Sequence, residues 1–560
     1  MKTRLRIGPW WGYLASRIGA LPARQFTWSL VALFSVWVLL DVMVFKFTTG
    51  IANSSYDAMV RARFHAAPPD PRLVVIDIDE ASLAAMGKEF GRWPWPRDTL
   101  ATALEFVEQQ KPVAIVWDVL FSDADRMSPG GDAAFNAAAE KSAHSHFPVV
   151  RLPASNDGSS QITRAALPGL WARPPGPNAS TPTVGALSTV ALIPPALPAL
   201  EQGRLGFNNG YVDRDGVLRR YRHFETLNDG SLLQSIVMSV VGALDPGAYA
   251  QRLERVRTHP DDKDELIAWR RRADAYPHVS FAHVFAAADG QKPGVELPSF
   301  AGKIIIFGST APSLHDIHPT PISSVGAGVD SLATALDNAI NQRALQELPR
   351  WVQALVAIVL CIGLGLWVQF RSVSSLAPAL FVLPIALVGM SYLSLNGLAV
   401  FLDLHLAAAL VLALLGVLRG WCAMRRNHWC SPPPYSDQPQ AIWAWQRHQP
   451  WLDDALDRLI DQVERRAPHC RIVVCDASVS WPNALRWPEL ARFAAIVGPY
   501  SEMQAVRGKL EPALMRLAFR HAEPVLVIGK TPGDSSPYRE LLARQVFQSW
   551  ANLHKSQLGQ

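Results

Sequence analysis

Four apolar stretches constrain this chain more than any other feature. Residues 26–45, 351–370, 376–395 and 398–418 are almost wholly apolar. About 20 such residues are needed to cross the hydrocarbon core of a bilayer, so each predicts a transmembrane helix. The first stands alone and the other three follow one another closely. Their flanks set a direction. Lys2, Arg4, Arg6, Arg17 and Arg24 precede the first with no acid among them, Arg371 lies between the second and third, and Arg419, Arg425 and Arg426 follow the fourth. Basic residues flank spans on the cytoplasmic side. Residues 46–350 and the Asn396-Gly397 turn are then expected outside, and both termini inside. A cleaved signal peptide is the competing reading of residues 26–45. The run is too long for a usual signal core and shows no small-residue cleavage site, so a retained anchor is expected. Asp41 is its one charge.

The rest of the composition fits that outline. A formal charge of +5 on 560 residues gives no reason to expect nucleic acid. The five cysteines, Cys361, Cys422, Cys430, Cys470 and Cys475, all follow residue 350. Residues 46–350 therefore hold no disulfide, and free thiols fall where a reducing compartment would keep them.

Residues 72–97 carry the clearest local pattern. Leu73-Val74-Val75-Ile76 is an apolar run, after which Asp77-Ile78-Asp79 alternates. β-branched residues followed by period-2 alternation read as a buried strand that emerges at its C-terminal end. Asp77 and Asp79 share one face of it. Glu80-Ala81-Ser82-Leu83 starts a helix that Gly87 ends. Trp93-Pro94-Trp95-Pro96-Arg97 cannot be helix interior, because two prolines remove donors and fix φ. It predicts a rigid loop packed by two indoles. Asp98 and Thr99 cap the next helix. Residues 113–117 form a second strand, followed by Asp118-Val119-Leu120-Phe121.

This series resembles the CHASE type 2 domain, an extracytoplasmic sensory module of bacterial signalling proteins. Later segments fit the same family in order. They are Gly131-Asp132 before an Ala-rich helix, Gly206-Phe207-Asn208-Asn209, Asp213-Arg214-Asp215-Gly216-Val217-Leu218-Arg219, the strand-like Ile304-Ile305-Ile306-Phe307 running into Gly308-Ser309-Thr310-Ala311, and Asp316 with Thr320-Pro321. The resemblance covers residues 46–350. One anchor, an outer domain and three closing helices is the layout it implies. The chain departs from the family at Gly328-Val329-Asp330-Ser331, where such domains commonly carry a histidine shortly after Gly-Val. Ser331 or Leu332 stands there instead.

The expected fold class is an α/β extracytoplasmic sensor domain, four transmembrane α-helices and a small cytoplasmic α/β domain. A basic N-terminus (residues 1–25) leads into the spans given above, and a linker (419–440) leads to an output domain (441–560). Residues 153–200 read as loop and 251–272 as a polar, solvated helical stretch. In the output domain, residues 452–463 read as an amphipathic helix. Strands are expected at 471–476, 494–497 and 525–529, and helices at 511–521 and 538–553. Strands alternating with helices predict a parallel sheet.

Asp79, Glu80, Trp95, Arg97, Asp118 and Asp316 fall at strand ends or adjoining loops, the edge where open α/β sheets bind ligands. They are the candidate binding residues for a small ligand or cation. A plainer reading carries more weight: they cap helices, form ion pairs and close the domain, as structural networks do.

Other motifs are weaker. Asp77-Ile78-Asp79 after a strand is similar to the first motif of haloacid-dehalogenase-like phosphatases, but no lysine and paired acids complete the set. Gly529-Lys530-Thr531 could end a phosphate loop, yet Pro524 stands where its first glycine is required. His315 and His318 around Asp316 suggest a loop more than a metal site. No catalytic residue, metal or cofactor is expected.

The family usually signals through a cyclase, a diguanylate cyclase or a kinase, and no such signature follows residue 419. The expected function is an inner-membrane receptor. Its outer domain senses a ligand or envelope state, and a non-catalytic cytoplasmic domain binds another protein. A homodimer or larger complex is expected. Trp443, Trp445, Trp451, Trp481 and Trp487 could anchor a partner if exposed, although core positions suit each better. Two alternatives stay open: an assembly subunit of an envelope complex, and an enzyme with an unrecognised output fold, for which Asp476 and Lys530 would be tested.

Overall fold

The computed structural model describes residues 14–15, 17–64, 66–125, 128–163, 165–172, 189–259, 264–270, 275–370, 378–433, 438–446, 453–474, 493–504, 507, 520–521, 525–527 and 535–558. The chain forms two compact units. One comprises residues 49–348 with 390–403. The other comprises residues 1–48, 349–389 and 404–560.

Helix α1 (Ala23–Leu40) is continued by a wider turn, Asp41–Phe45. Asp41 is buried and caps this end: it accepts from Phe47 N at 2.9 Å and Thr48 Oγ1 at 2.5 Å. The one acid in the first apolar stretch therefore satisfies donors of the turn that leads from this helix into the next. Helix α2 (Thr49–Arg61) begins the first unit.

The first unit is built on a mostly parallel sheet. Its strands are β1 (Leu73–Asp77), β2 (Ala114–Trp117), β3 (Ser145–Arg151), β4 (Leu192–Ile193), β5 (Arg204–Phe207), β6 (His278–Ser280) and β7 (Ile304–Gly308). The order is β6-β1-β7-β2-β3-β4, with β5 also on β3. All pairings are parallel except β3–β4. β1 and β7 are buried throughout, as strands covered on both faces require. One face carries Val74, Ile76, Ile115, Trp117, Ile305 and Phe307, packed with Leu100, Leu104 and Val107 of α4 (Arg97–Gln109). Trp117 stacks on Phe307 at 4.2 Å, at the centre of that layer.

The connections decide where the strand ends meet. The chain leaves β1 through α3 (Glu80–Phe90) and α4, and skips one place to reach β2. It continues outward through α5 (Pro129–Lys141) to β3. Helix α6 (Ile236–Leu244) precedes the return to β6. After α7 (Phe281–Ala288), β7 fills the vacant place between β1 and β2. Asp77 is then level with Gly308, and Trp117 with Phe307. Helix α8 (Gly328–Ile340) closes the unit.

Part of residues 251–272 departs from expectation. The helix there is Pro246–Thr258, and a short strand, Asp264–Leu266, follows. Arg270 is not solvated. It is buried against Asp337 of α8, which also accepts from Tyr276 Oη at 2.9 Å.

Among the described residues four helices are long and apolar enough to cross a membrane: Ala23–Phe45, Arg350–Gln369, Ala379–Gly397 and His405–Trp429. The last three lie in α9 (Arg350–Phe370), α10 (Ala379–Gly397) and α11 (His405–Trp429). Phe26 of α1 stacks on Trp421 of α11 at 4.6 Å. Gly365 of α9 lies so close to Val31 that a Cβ there would come within 2.8 Å of it.

The fourth span is corrected. Residues 398–404 are not helix, and α11 begins seven residues later than the apolar run does, at His405. Strand β8 (Gln346–Glu347) pairs in parallel with β9 (Val400–Phe401). Ser394 Oγ donates to Val400 O at 2.9 Å, and Ala399 takes a positive φ of 56°. The backbone of this segment is therefore satisfied outside any helix.

The C-terminal region is also corrected. Its sheet comprises β10 (Gln440–Gln446), β11 (Arg471–Val474), β12 (Phe493–Pro499), β13 (Arg520–His521) and β14 (Val525–Val527). Every pairing among the described residues is antiparallel. Two of these strands were not expected: β13, whose residues 520–521 were expected to end a helix, and β10. The β10 run Ala441-Ile442-Trp443-Ala444-Trp445 is apolar without alternation because both faces are covered. Trp443 and Trp445 are 1 % exposed and belong to the core. Helices α12 (Asp453–Arg466) and α13 (Ser535–Leu558) contribute Leu459, Ile460, Val546 and Trp550 to that core. Residues 511–519 and Trp451, Asp476, Trp481, Trp487 and Lys530 lie outside the described residues. Arg425 of α11 pairs with Asp461 at 2.7 Å and with Glu464, and Arg426 pairs with Asp457 at 2.7 Å.

Candidate functional site

The C-terminal ends of β1, β7 and β2 lie side by side, where the strand order reverses. Open α/β sheets bind their ligands at such a point. Asp118 follows β2, and its backbone N donates to Phe307 O at 2.7 Å. Its Oδ1 accepts from Asn208 Nδ2 at 2.6 Å. Desolvation and the neighbouring Asp316 push the Asp118 carboxyl up from 3.8 to about 7, against the Asn208 bond. Burial also raises Asp316, and His318, 3.5 Å away, opposes it. Two carboxylates placed together resist sharing full charge.

Two glycines make this meeting possible. A Cβ at Gly308 would come within 2.5 Å of Val329 and 3.2 Å of Asp118. One at Gly328 would come within 2.2 Å of the Asp316 carboxylate. The backbone must pass closer to these side chains than any other residue allows.

The loop after β7 connects three of the strand-end acids. Thr310 donates to Asp77 through N at 2.8 Å and Oγ1 at 2.6 Å. Ser313 N donates to Glu80 Oε1 at 3.1 Å. Asp316 then meets Asp118. On the other side of β1, His278 Nδ1 lies 3.0 Å from Asp77 Oδ2 and its Nε2 lies 3.0 Å from Asp330 Oδ1 of α8. Burial works against charge on His278, but Asp330 and Asp77 outweigh it and lift the imidazole to about 9. Against the same cost of burial, the His278 and Thr310 bonds hold Asp77 below its ordinary value. Asp77 is 5 % exposed and engaged on both oxygens.

The predicted residues thus separate into three groups. Asp118 and Asp316 come together. Asp79 and Glu80 lie at the neighbouring strand end, where Asp79 caps α3 by accepting from Ser82 N at 2.7 Å and also accepts from Ser280 Oγ at 3.0 Å. Trp95 and Arg97 serve elsewhere. Trp95 is buried, stacked on Phe281 at 5.3 Å. Arg97 is held by Asp132 and Asp123 O, and its backbone N donates to Asp125 Oδ2 at 3.3 Å. That clasp closes the loop between β2 and α5. His278, Asp330, Thr310 and Asn208 complete the strand-end network. His278 sits in a three-residue strand that carries no periodic signal, so sequence offered no route to it. Among the described residues no group of three or more His, Cys, Asp or Glu side chains is suited to a metal.

A second constellation ties α2 into the same unit. Arg219, 1 % exposed, holds Asp57 of α2 through two bonds of 2.8 and 2.7 Å. It also reaches Asp213 at 2.9 Å and Asp215 at 2.8 Å. Arg220 bridges Asp213 and Glu347 of β8.

Compared with known families, residues 30–367 match the CHASE2 domain. The chain belongs to the CHASE2 domain family. No curated protein and no solved structure matches it. The match gives the chain a sensory domain and leaves the C-terminal region unassigned. Within the CHASE2 domain, the segment Asp213–Arg219 now has a physical role: it fixes α2 to the sheet unit. Of the two residues that stand where a histidine is common after Gly-Val, Ser331 is buried with its hydroxyl on Ala327 O, and Leu332 is buried in the core. The only imidazole contact of that turn among the described residues is His278 on Asp330.

Proposed function

We propose that this chain is an inner-membrane signal-transduction receptor. The CHASE2 domain lies in the periplasm and senses a ligand or envelope state at the Asp118–Asp316 strand end. The membrane helices pass the change to a non-catalytic cytoplasmic domain that binds another protein. The N- and C-termini are cytoplasmic, as the basic flanks of the spans indicate.

One observation carries this reading. Residues 390–403, the end of α10 and the turn after it, belong to the sheet unit itself. Tyr392 Oη donates to Ala62 O at 2.6 Å, and Asn396 Oδ1 accepts from Phe64 N at 3.2 Å. Phe401 meets Tyr56 edge-on at 5.1 Å, and β9 pairs with β8. A change of packing in the sheet unit therefore acts directly on the end of a membrane helix. For a ligand to signal by this route it must bind two packings with different affinity.

The test is co-purification from native membranes in mild detergent, followed by mass spectrometry. Full-length protein is compared with a version ending at Arg426. A partner lost on truncation supports the receptor. A partner retained by the truncated form favours an assembly subunit docking through the CHASE2 domain. Measurable nucleotide cyclisation or phosphotransfer by the full-length protein would replace both with an enzyme.

A further inference from the structure

Arg63 is the exception among the buried arginines of the sheet unit. Arg151, Arg219 and Arg270 each hold at least one carboxylate. Arg63 is 8 % exposed, yet its guanidinium makes no hydrogen bond or ion pair among the described residues, and its Nε is closed off without a partner. Burial lowers its pKa, with the Tyr56 hydroxyl opposing and the Arg270 guanidinium adding to the effect. Arg270 itself has a buried Nε without a partner. Arg270 is nevertheless paired with Asp337, whereas a buried guanidinium with no carboxylate of its own is costly unless an anion joins it.

Its neighbours say where that anion comes from. Ala62 O accepts from Tyr392, and Phe64 N donates to Asn396. Arg63 is thus bracketed by bonds to the last turns of α10, the end of a candidate span. Ala62 and Phe64 are exposed, and Phe64 and Tyr392 have ring centroids 6.0 Å apart. Leu393 and Leu398 beside them are 63 % and 74 % exposed. Aromatic rings among exposed apolar side chains at a helix end mark the membrane–water interface. Phosphate is the anion concentrated there, and guanidinium geometry suits it.

We propose that Arg63, with Arg270 nearby, binds a phosphate group, and that this phosphate belongs to a lipid headgroup at the outer membrane boundary. The proposal rests on the topology given above. Occupancy completes the charge at the α2–α10 contact, so the lipid surface becomes part of the sensor's signalling joint.

The test uses full-length protein in mild detergent and reads thermal stability. The additions are phosphatidylglycerol, diacylglycerol with the same chains, and inorganic phosphate. Phosphatidylglycerol raises the Tm of wild type and of Arg63→Lys, but not of Arg63→Gln. Diacylglycerol raises none of them. Without lipid, Arg63→Gln is at least as stable as wild type, because it removes a buried unpaired cation. Stabilisation by inorganic phosphate with no added effect of phosphatidylglycerol overturns the lipid source and assigns a free anion. Equal shifts in wild type and Arg63→Gln, or a lipid-free loss of stability in Arg63→Gln, overturn the site. A wrong topology shows separately: the Ala66→Cys variant would then resist labelling at position 66 by impermeant maleimide added outside intact cells.

Discussion

Two pairs of adjacent arginines fasten helices in this molecule, and they do so differently. Arg219 holds α2 in the sheet unit through Asp57, and Arg220 beside it ties Asp213 to Glu347. Arg425 and Arg426, on α11, hold α12 of the C-terminal region. Arg219 is closed in by three aspartates and grips Asp57 with two nitrogens. Arg425 meets Asp461 and Glu464 through one nitrogen, and Asp461 is 38 % exposed. A forked grip in a dry site fixes direction as well as distance. A single-nitrogen grip at the edge of solvent fixes distance alone. The first joint is a dry fork, and the second combines the single-nitrogen contact of Arg425 with a fork of Arg426 on Asp457 that is open to solvent.

The largest expected effect follows from that contrast. Arg219→Met leaves Asp57, Asp213 and Asp215 without their common cation. Removing one side of a buried network costs about 3–5 kcal/mol. Urea unfolding in detergent should show this loss, with hydrogen exchange in α2 rising first. Arg219→Lys should recover little of it, since an ammonium cannot make the fork. Full recovery by lysine would erase the distinction between the joints.

Arg425→Leu should cost less, about 2 kcal/mol, between the values for buried and surface pairs. Its pH dependence identifies it. Burial already raises the Glu464 carboxyl, and Arg425 opposes that rise. Without Arg425 the folded value climbs further above the unfolded one. That contribution is intact at low pH and lost as pH rises, so the variant should be weaker at pH 8 than at pH 5. A pH-independent loss would mean that Glu464 does not depend on Arg425.

The two joints were not equally legible in the sequence. Asp213–Arg219 stood out as a motif because acids and arginines crowd around Gly216, although its partner Asp57, 156 residues before Asp213, did not. Arg425 and Arg426 served only to orient the spans. Their partners on α12 looked like the polar face of an amphipathic helix. Strands β1 and β7 were readable because they are apolar, mostly β-branched runs that end in aspartate or glycine, but their parallel pairing was not, and the parallel sheet expected of the C-terminal region is antiparallel. Strand β10 was hidden by the absence of alternation. At the strand end Asp118 and Asp316 were legible as acids after strands. Their meeting depends on β7 entering between β1 and β2, a fact of topology that no local pattern states. His278 and Asp330 depend on the same crossover. Trp95 and Arg97 shared the position in sequence but not the place in space.

The strand end offers a further test of the sheet unit against the C-terminal region. The Asp118 carboxyl lies at about 7 when folded and near 3.8 when unfolded. Its raised value means stability is greatest below the unfolded value and is lost as pH climbs through about 7. Tm measured from pH 4 to 8 should fall across this window in wild type and flatten in Asp118→Asn. His278 acts higher, with its contribution lost only as pH passes about 9. A ligand that binds Asp118 in its charged form should lower the folded value, so that the fall becomes smaller and ends at lower pH, and one with no carboxylate contact should leave it in place.

Arg426 provides the smallest effect and the closest control. It pairs with Asp457 through two nitrogens, at 2.7 and 2.8 Å, so its geometry matches the fork on Asp57. Its side chain is 24 % exposed, against 2 % for Arg219. If geometry alone set the strength of a joint, Arg426→Gln would approach the loss seen at Arg219. If burial sets it, the loss should be about 0.5 kcal/mol and should shrink in high salt, as exposed pairs do. We expect the second result. Salt-dependent unfolding of Arg426→Gln beside Arg219→Met would then compare a fork open to solvent with one that is buried and shared with Asp213 and Asp215.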